Sequence, residues 1–237
     1  MRKFWSYISN EKYSVGCTGQ TVYVYDYAGN ELAKFKDIKY AYESIFCSGK
    51  DILVVKSTGA YFAAYSLETL SLIKKVRFSN VDGSQDDGYC FSADGKYFYN
   101  IERQDRSTNH VISVYDTVTF ERLEMFLKEE RQTNPTFIEA DDNGQLFVLG
   151  FLRGEDGVMS DCFVSKFNDN GLEEMCVIPE KEYDFYRNFK NLELKGFTDK
   201  AKEWSGFKYK GVDMTGMEKM KYPLSELWGK YKFDEKL

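Results

Sequence analysis

The sequence predicts an all-β fold built from repeated four-stranded antiparallel units. The chain has 18 Tyr and 19 Phe but only 3 Pro, which suits strands because aromatic rings pack well on a pleated surface. Four stretches of alternating apolar and polar residues each end in an aromatic residue, and alternation of period two is the signal of a half-buried strand. These aromatic anchors of the repeat are Tyr25, Tyr65, Tyr115 and Phe167.

Each aromatic anchor belongs to a unit of four consecutive strands. The anchor strand is followed by a polar turn and a further strand, and it is preceded by another hairpin. The turns of the preceding hairpins are predicted at Asn10-Glu11, Gly49-Lys50, Asp94-Gly95 and Asn143-Gly144, and Asp-Gly and Asn-Gly between apolar runs are strong hairpin signals. The predicted units are 4–36, 42–78, 87–127 and 134–178.

Units of this kind predict a β-propeller. A four-stranded meander cannot bury both of its faces alone, so neighbouring units must stack to form a core. Stacking around an axis also leaves few exposed strand edges. The anchor spacings of 40, 50 and 52 residues (25 to 65, 65 to 115, 115 to 167) match the length of propeller blades. We therefore expect a single β-propeller domain over 1–237, with four clear blades.

Residues 179–237 are predicted to form a degenerate fifth blade or a cap, because a ring of only four blades is unusual. Strands of the fifth blade would be 189–196, 204–210 and 217–224, followed by a short helix near 223–231. That helix would begin at a proline, which suits the first helical turn. The alternatives are a helical or irregular cap over a four-bladed ring, and an open arc completed by a second copy.

Two segments resemble blades of the tryptophan-aspartate (WD) repeat family. FSADGKYF (91–98) is similar to the first hairpin of such a blade, and VISVYD (111–116) is similar to the strand that ends in the WD dipeptide. No Gly-His signature precedes these strands. The resemblance covers 4–178 at the level of pattern and implies a propeller fold without a particular function. Tyr25-Asp26 and Tyr115-Asp116 replace the dipeptide, whereas Tyr65-Ser66 and Phe167-Asn168 depart from it.

Composition and charge narrow the class of protein. The net charge is −6 and the pI is about 5.1, which disfavours binding to the phosphate backbone of nucleic acids. The five cysteines are widely spaced and include no CxxC pair, unlike a disulfide framework or zinc ribbon. The first residues lack the apolar run of a signal peptide. We therefore expect a cytoplasmic protein that binds neither nucleic acid nor a membrane.

Long polar connections are the predicted recognition surface. In WD-type propellers, the connections between second and third strands and between blades emerge on one face. Here those at 80–88, 102–110 and 152–161 are long and polar, and such insertions on a rigid scaffold often carry binding function, although solvated loops have the same composition. Arginines there offer forked contacts to carboxylates and phosphates. The predicted binding residues are Asp86, Asp87, Arg103, Arg106, His110, Arg153 and Asp156.

No residue pattern predicts catalysis, a metal or a cofactor. His110 is the only histidine, and the GxSxG, GxGxxG and GxxxxGK[ST] motifs are absent. The segment 82–88 resembles a calcium loop, but its sixth position is Asp87 rather than glycine and its twelfth is Ala93 rather than glutamate. We therefore expect no catalytic residues, no bound metal and no cofactor.

The sequence favours a non-catalytic scaffold that recognises another protein or a ligand. One alternative is a small propeller hydrolase or lyase with a carboxylate-lined, metal-assisted site. Another is a carbohydrate or small-ligand binding module, in which exposed aromatic residues stack on sugar rings. The pattern does not predict an oligomeric state.

Overall fold

The computed structural model describes most of the chain as β structure. Of the described residues, 51% lie in strands and 13% in helices, as the composition predicts. The strands form four antiparallel sheets of four strands each, in a blade-like arrangement, and one two-stranded hairpin. None of the helices in the described part is long and apolar enough to cross a bilayer. The described residues are 2–79, 88–104, 110–154, 156–196 and 207–232.

The chain divides into two compact units, of which unit 1 comprises 1–86 and 190–204. It contains sheets 1 and 2, and in each sheet every strand pairs with the next one along the chain. This meander follows from the short turns between the strands. Sheet 1 is β1 (Ser6–Ser9), β2 (Tyr13–Cys17), β3 (Val22–Asp26) and β4 (Glu31–Phe35), and sheet 2 is β5 (Ala41–Phe46), β6 (Ile52–Ser57), β7 (Tyr61–Ser66) and β8 (Ser71–Arg77).

Unit 2 comprises 87–189 and 205–237, and its sheets 3 and 4 have the same meander order. Sheet 3 is β9 (Tyr89–Phe91), β10 (Tyr97–Arg103), β11 (His110–Asp116) and β12 (Arg122–Phe126). Sheet 4 is β13 (Thr133–Ala140), β14 (Leu146–Arg153), β15 (Met159–Asn168) and β16 (Gly171–Ile178). Then follow α1 (Glu180–Leu194), β17 (Lys208–Tyr209), β18 (Val212–Asp213), a 3-10 helix (Met217–Lys219) and α2 (Pro223–Tyr231).

The four aromatic anchors occupy equivalent positions in the four sheets. Each is the last residue but one of the third strand of its sheet. In every sheet, the pairing of the third strand with the fourth shifts register at the anchor or within three residues before it. The sequence repeat is therefore a repeat of strand pairing as well.

Local hydrogen bonds explain why the predicted hairpin turns form. Asn10 accepts hydrogen bonds at its Oδ1 from the backbone N–H groups of Lys12 and Tyr13, at 2.9 and 2.8 Å. Asp94 accepts one at Oδ1 from the amide two residues further on, at 3.0 Å. Gly95 has a φ of +67°, a left-handed conformation that glycine adopts without steric cost. These are Asx-type turns, which favour such residues between strands.

An apolar layer holds sheets 1 and 2 together in unit 1. Val24 of sheet 1 and Val55 of sheet 2 are fully buried in the same cluster. The ring of Phe35 stacks on that of Tyr65 with centroids 4.1 Å apart. Cys17 belongs to the same cluster, and burial raises the pKa of its thiol to about 11. This cysteine is therefore a core residue.

Sheets 3 and 4 share a second apolar layer in unit 2. Ile101 and Ile112 of sheet 3 pack in one cluster with Val148 and Phe167 of sheet 4. The anchor Phe167 lies edge-on to the ring of Phe126, with ring centroids 5.2 Å apart. One face of each sheet is thus buried against its neighbour.

The C-terminal segment begins with a helix where a strand was predicted. Residues 189–196 lie mostly within α1, so that prediction is wrong. Tyr183, Tyr186, Phe189 and Leu192 recur every three residues and are all buried, a spacing close to the helical period of 3.6 and unlike the alternation of a strand. The predicted strand 189–196 covered only the end of this pattern. That stretch is too short to distinguish the period of a helix from that of a strand.

The two helices cover the second face of sheet 4. Tyr183 of α1 and Leu227 and Trp228 of α2 pack in one cluster with Phe147 and Leu149. The helix predicted near 223–231 is therefore confirmed as α2. The strand predicted over 217–224 is wrong, because a 3-10 helix and the start of α2 occupy it, and that over 204–210 is described only in part, as β17. The described part of this segment is thus a helical cover, not a fifth four-stranded sheet.

Substitution of Gly150 tests the close approach of strands β13 and β14. A Cβ atom there would lie 2.9 Å from Pro135 Cα and would collide with the carbonyl oxygen of Asn134. These are backbone atoms, which cannot rotate away. We expect Gly150→Ala to lower the free energy of unfolding by about 1–3 kcal/mol, measured by denaturant unfolding followed by tryptophan fluorescence.

Gly229→Ala is the matched control for this substitution. Nothing lies within 4 Å of a Cβ atom at Gly229, and the residue is exposed within α2. Alanine there should raise the free energy of unfolding by up to about 1 kcal/mol. Equal stability of the two variants would contradict the close approach at Gly150.

Candidate functional site

Three of the predicted binding residues lie at adjoining strand ends in unit 2. Arg103 is the last residue of β10 and pairs directly with His110, the first residue of β11. Arg153 is the last residue of β14 in the neighbouring sheet. Together with Asn134 of β13, they form a group that we call the arginine rim.

Hydrogen bonds to β13 connect the members of the arginine rim. His110 Nδ1 lies 2.8 Å from the carbonyl oxygen of Pro135, and because a carbonyl only accepts, Nδ1 must carry the hydrogen. Asn134 Oδ1 accepts a hydrogen bond from Arg153 Nη2 at 3.2 Å. The backbone N–H of Arg153 donates to the carbonyl of Gln132 at 2.7 Å. The same strand therefore positions both the imidazole and the guanidinium group.

The arginine rim combines buried groups with accessible ones. His110 is 8% exposed and Asn134 is 2% exposed, whereas Arg103 and Arg153 are half-buried. Half-buried guanidinium groups can form two parallel hydrogen bonds to one carboxylate or phosphate. The arrangement thus suits recognition of an anionic group.

The remaining predicted binding residues are placed differently. Asp156 lies in the exposed turn between β14 and β15, where its Oδ1 accepts a hydrogen bond from the backbone N–H of Val158 at 3.0 Å. That is the contact of a turn residue. Three predicted residues, Asp86, Asp87 and Arg106, lie outside the described residues. The calcium-like segment 82–88 also lies outside them, except for its last residue.

A buried carboxylate lies beside the arginine rim in sheet 3. Glu102 is fully buried and accepts hydrogen bonds from the hydroxyl groups of Tyr115, at 2.6 Å, and Ser113, at 2.8 Å. Arg122 Nη2 donates to it at 3.2 Å. The side-chain amides of Asn100 and Gln104 donate to the same carboxylate, at 3.1 and 2.9 Å.

Burial dominates the electrostatics of this carboxylate. Desolvation raises the pKa of Glu102 above its ordinary value of 4.5, although the hydrogen bond from Tyr115 and the charge of Arg122 act in the opposite direction. The pKa of Tyr115 is also raised, mainly by burial and secondly by the negative charge of Glu102. Both oxygens of the Glu102 carboxylate accept hydrogen bonds, which restricts its motion, so it should hold the end of β10 on which Arg103 stands.

Sequence reasoning missed the residues that support the arginine rim. Asn100 and Glu102 follow the buried Phe98 at alternate positions of β10. Polar residues in the buried register of a strand indicate a hydrogen-bond network, and that signal was available. Asn134 gave no such signal, because asparagine before proline is typical of a turn.

The described acidic residues and cysteines show no metal-binding arrangement. Across the part of the chain that the structure describes, no group of three or more His, Cys, Asp or Glu side chains is placed to hold a metal ion. The five cysteines are free thiols. Burial raises the pKa of Cys162 to about 11, so this thiol stays protonated near neutral pH and is a weak nucleophile.

Comparisons with known proteins support the fold but identify no family. No family model and no curated protein matches the chain, so the WD-repeat resemblance has no support at the family level. Among solved structures, the chain is similar to hydrazine synthase from Kuenenia stuttgartiensis, a protein that contains a β-propeller, with a TM-score of 0.54 and 13% identity. The match covers 71% of this chain and 51% of that chain, so this chain spans about half the length of that neighbour. At this identity the likeness concerns the fold alone.

Glu102→Gln tests the electrostatics beside the arginine rim. Because burial raises the pKa of Glu102 above 4.5, the folded protein keeps this proton to a higher pH than the unfolded chain. The free energy of unfolding then falls as the pH rises from 4.5 through the raised pKa. Glutamine does not titrate, so the wild type should lose stability relative to Glu102→Gln as the pH rises above about 4.5, as measured by denaturant unfolding at several pH values.

Glu124→Gln provides the control, because Glu124 is an exposed carboxylate on β12 of the same sheet. Its stability relative to the wild type should change little over this pH range. If the wild type instead gained stability relative to Glu102→Gln as the pH rises, Arg122 and the hydrogen-bond donors would have a larger effect on the pKa of Glu102 than desolvation has.

Proposed function

We propose that the chain is a non-catalytic recognition scaffold that binds a partner protein through the arginine rim. The observation that carries the proposal is that His110 and Arg153 both hydrogen-bond to β13, and that Arg103 is paired with His110 across β10 and β11. A guanidinium group stays charged at any physiological pH. Because the chain is acidic overall, with a net charge of −6, a local pair of arginines gives it one place suited to an acidic segment.

The position of the arginine rim on strand ends favours specific recognition. His110 and Asn134 are buried and hydrogen-bonded, so little side-chain entropy remains to be lost there on binding. The half-buried arginines have already lost part of their hydration, which strengthens a hydrogen bond to a carboxylate relative to one in bulk water. An anionic partner segment would therefore meet a largely preformed surface.

The proposal includes a β-propeller fold, with the four sheets as its blades. Two observations support it: the aromatic anchors have equivalent positions in the four sheets, and a solved structure that contains a β-propeller resembles the chain. In a propeller, strand ends of successive blades share one face. Connections on that face would then surround the arginine rim.

Small-angle X-ray scattering of the full chain tests ring closure. A compact chain of 237 residues should have a radius of gyration of about 18 Å. We expect that value, unchanged on dilution. A clearly larger monomer would indicate an open arc, and a value that falls on dilution would indicate a second copy.

Substitution of the rim arginines tests the function itself. A partner would be isolated with the tagged full chain from its native cells, identified by mass spectrometry and purified. Isothermal titration should then show that Arg103→Gln and Arg153→Gln each weaken binding about tenfold, equivalent to about 1.4 kcal/mol. Glutamine keeps much of the side-chain length but removes the charge.

Arg77→Gln is the matched control, since Arg77 is an exposed arginine of sheet 2 in the other unit. It should leave the dissociation constant unchanged. Unaltered binding by the two rim variants would refute the role of the arginine rim.

A further inference from the structure

A groove of about 420 Å³ opens at the same end of sheet 4 as Arg153, and its volume is within the range of ligand-binding pockets. We call it the acidic groove. Phe151, Met159, Ile178 and Pro179 give it apolar walls, and Asp161 and Glu180 lie at its edge. It is therefore bounded by the ends of β14, β15 and β16 and by the first turn of α1.

The walls of the acidic groove are fixed by the packing of α1. The ring of Phe151 rests against that of Tyr183, with centroids 4.3 Å apart. Tyr183 is buried, and its hydroxyl group lies 3.3 Å from Thr136 Oγ1. The backbone N–H of Glu182 donates to the Pro179 carbonyl at 2.9 Å, which holds the first turn of the helix in place. The groove is therefore preformed.

The electrostatic field in the acidic groove is negative. Desolvation is the main cause that raises the pKa of the adjoining Cys162 thiol, and the charges of Glu180, Asp184 and Asp161 add to it. Asp184 is paired with Arg187 at 3.1 Å. Among the residues that the structure describes, Asp161 and Glu180 have no such ion-pair partner.

Exposed apolar side chains continue from the groove onto the surface. Met159 is 45% exposed and Val158 is 62% exposed, both on the connection that leads into β15. An apolar surface next to two uncompensated carboxylates is complementary to a side chain with an apolar stem and a cationic head. Lysine and arginine are the side chains of that kind.

We propose that the acidic groove binds an arginine or lysine side chain from an extended segment of the partner protein. The aliphatic stem lies against Phe151 and Pro179, and the cationic head reaches Asp161 and Glu180. An apolar residue on the same face of the segment covers Met159. The inference extends the proposed function, because the same partner segment would contact the arginine rim and the acidic groove.

The sheet geometry sets the spacing that such a segment needs. Arg153 pairs with Met159 across β14 and β15, and its guanidinium group is directed to Asn134 on the opposite side, β13. Neighbouring strands are about 4.8 Å apart, so the rim and the groove are roughly 5–10 Å apart. An extended chain advances about 3.3 Å per residue. Because side chains alternate along an extended chain, the carboxylate and the cation of the segment should be two residues apart, on the same face.

Three synthetic peptides test this arrangement on the full chain. The first is acetyl-Glu-Gly-Arg-Gly-Leu-amide, in which Glu, Arg and Leu share one face of the extended chain; the second has Gln in place of Arg, and the third has Gln in place of Glu. Methyl NMR signals of Met159 and Ile178 report on the groove. We expect the first peptide to shift both signals with a dissociation constant of the order of 1 mM, and the second to bind about fivefold more weakly.

The third peptide separates this inference from the proposed function. This peptide lacks the carboxylate for the arginine rim. It should still shift the NMR signals of Met159 and Ile178, but with a larger dissociation constant than the first peptide. If it binds as tightly as the first peptide while the first still requires its arginine, the rim proposal fails and the groove proposal stands. If no peptide shifts Met159 or Ile178 at about 10 mM, the groove proposal is refuted, whatever the result for the rim.

Charge-neutral variants complete the test. Asp161→Asn combined with Glu180→Gln should weaken the first peptide about fivefold, and both residues are exposed, so the fold should be retained. Asp169→Asn combined with Glu68→Gln changes the net charge equally at exposed turns elsewhere and should leave binding unchanged. If both double variants bind the first peptide as tightly as the wild type does, the groove proposal is refuted. If both variants weaken binding equally, the carboxylates act only through long-range electrostatic attraction and not as a groove.

Discussion

The structure depends on one constraint: a four-stranded sheet with apolar side chains on both faces must have both faces covered. In unit 2, sheet 4 meets this constraint in two ways. One face packs against sheet 3 through residues such as Val148 and Phe167, and the other is covered by α1 and α2 through Tyr183 and Trp228. Burial of apolar surface on this scale is the main stabilising contribution to folding. The helices at the C-terminal side are therefore required by the sheet.

This constraint also decides where a binding surface can form. The middle of each strand is committed to packing, so residue type can vary mainly at strand ends and in connections. The arginine rim lies at the ends of β10, β11 and β14, and the acidic groove lies at the ends of β14, β15 and β16. Opposite charges thus lie close together at the ends of neighbouring strands. Such a pattern selects the orientation of a bound segment as well as its composition, because reversing the segment would place like charges together.

The sequence predicted the repeat well because the repeat is local. Alternation around Tyr65 or Tyr115, followed by a turn, is contained within about fifteen residues, and period-two patterns of that length are readable. The C-terminal helices were harder, since the three-residue spacing from Tyr183 to Leu192 becomes visible only over about three turns. A short window within that pattern reads equally well as a strand. Strand pairing was thus predictable, whereas the cover of sheet 4 was not.

The site was only partly predictable for a related reason. Polar connections led to the prediction of Arg103 and Arg153 as binding residues, but the contacts that position Arg153 come from distant parts of the sequence. Asn134 supports Arg153 from another strand, and α1 closes the acidic groove from beyond β16. Such relations depend on tertiary packing, which a single sequence does not reveal without an alignment of relatives. Glu102 was the exception, since its buried register was visible in β10.

The Glu102 network also bears on how a chain of similar units avoids folding incorrectly. A slip by one residue turns every side chain of a strand to the opposite face. In the native register of β10 with β11, Ser113 and Tyr115 lie on the same face as Glu102 and donate hydrogen bonds to it. After such a slip the carboxylate would be buried without these donors, at a cost of several kcal/mol. The network therefore disfavours the slipped pairing of these two strands.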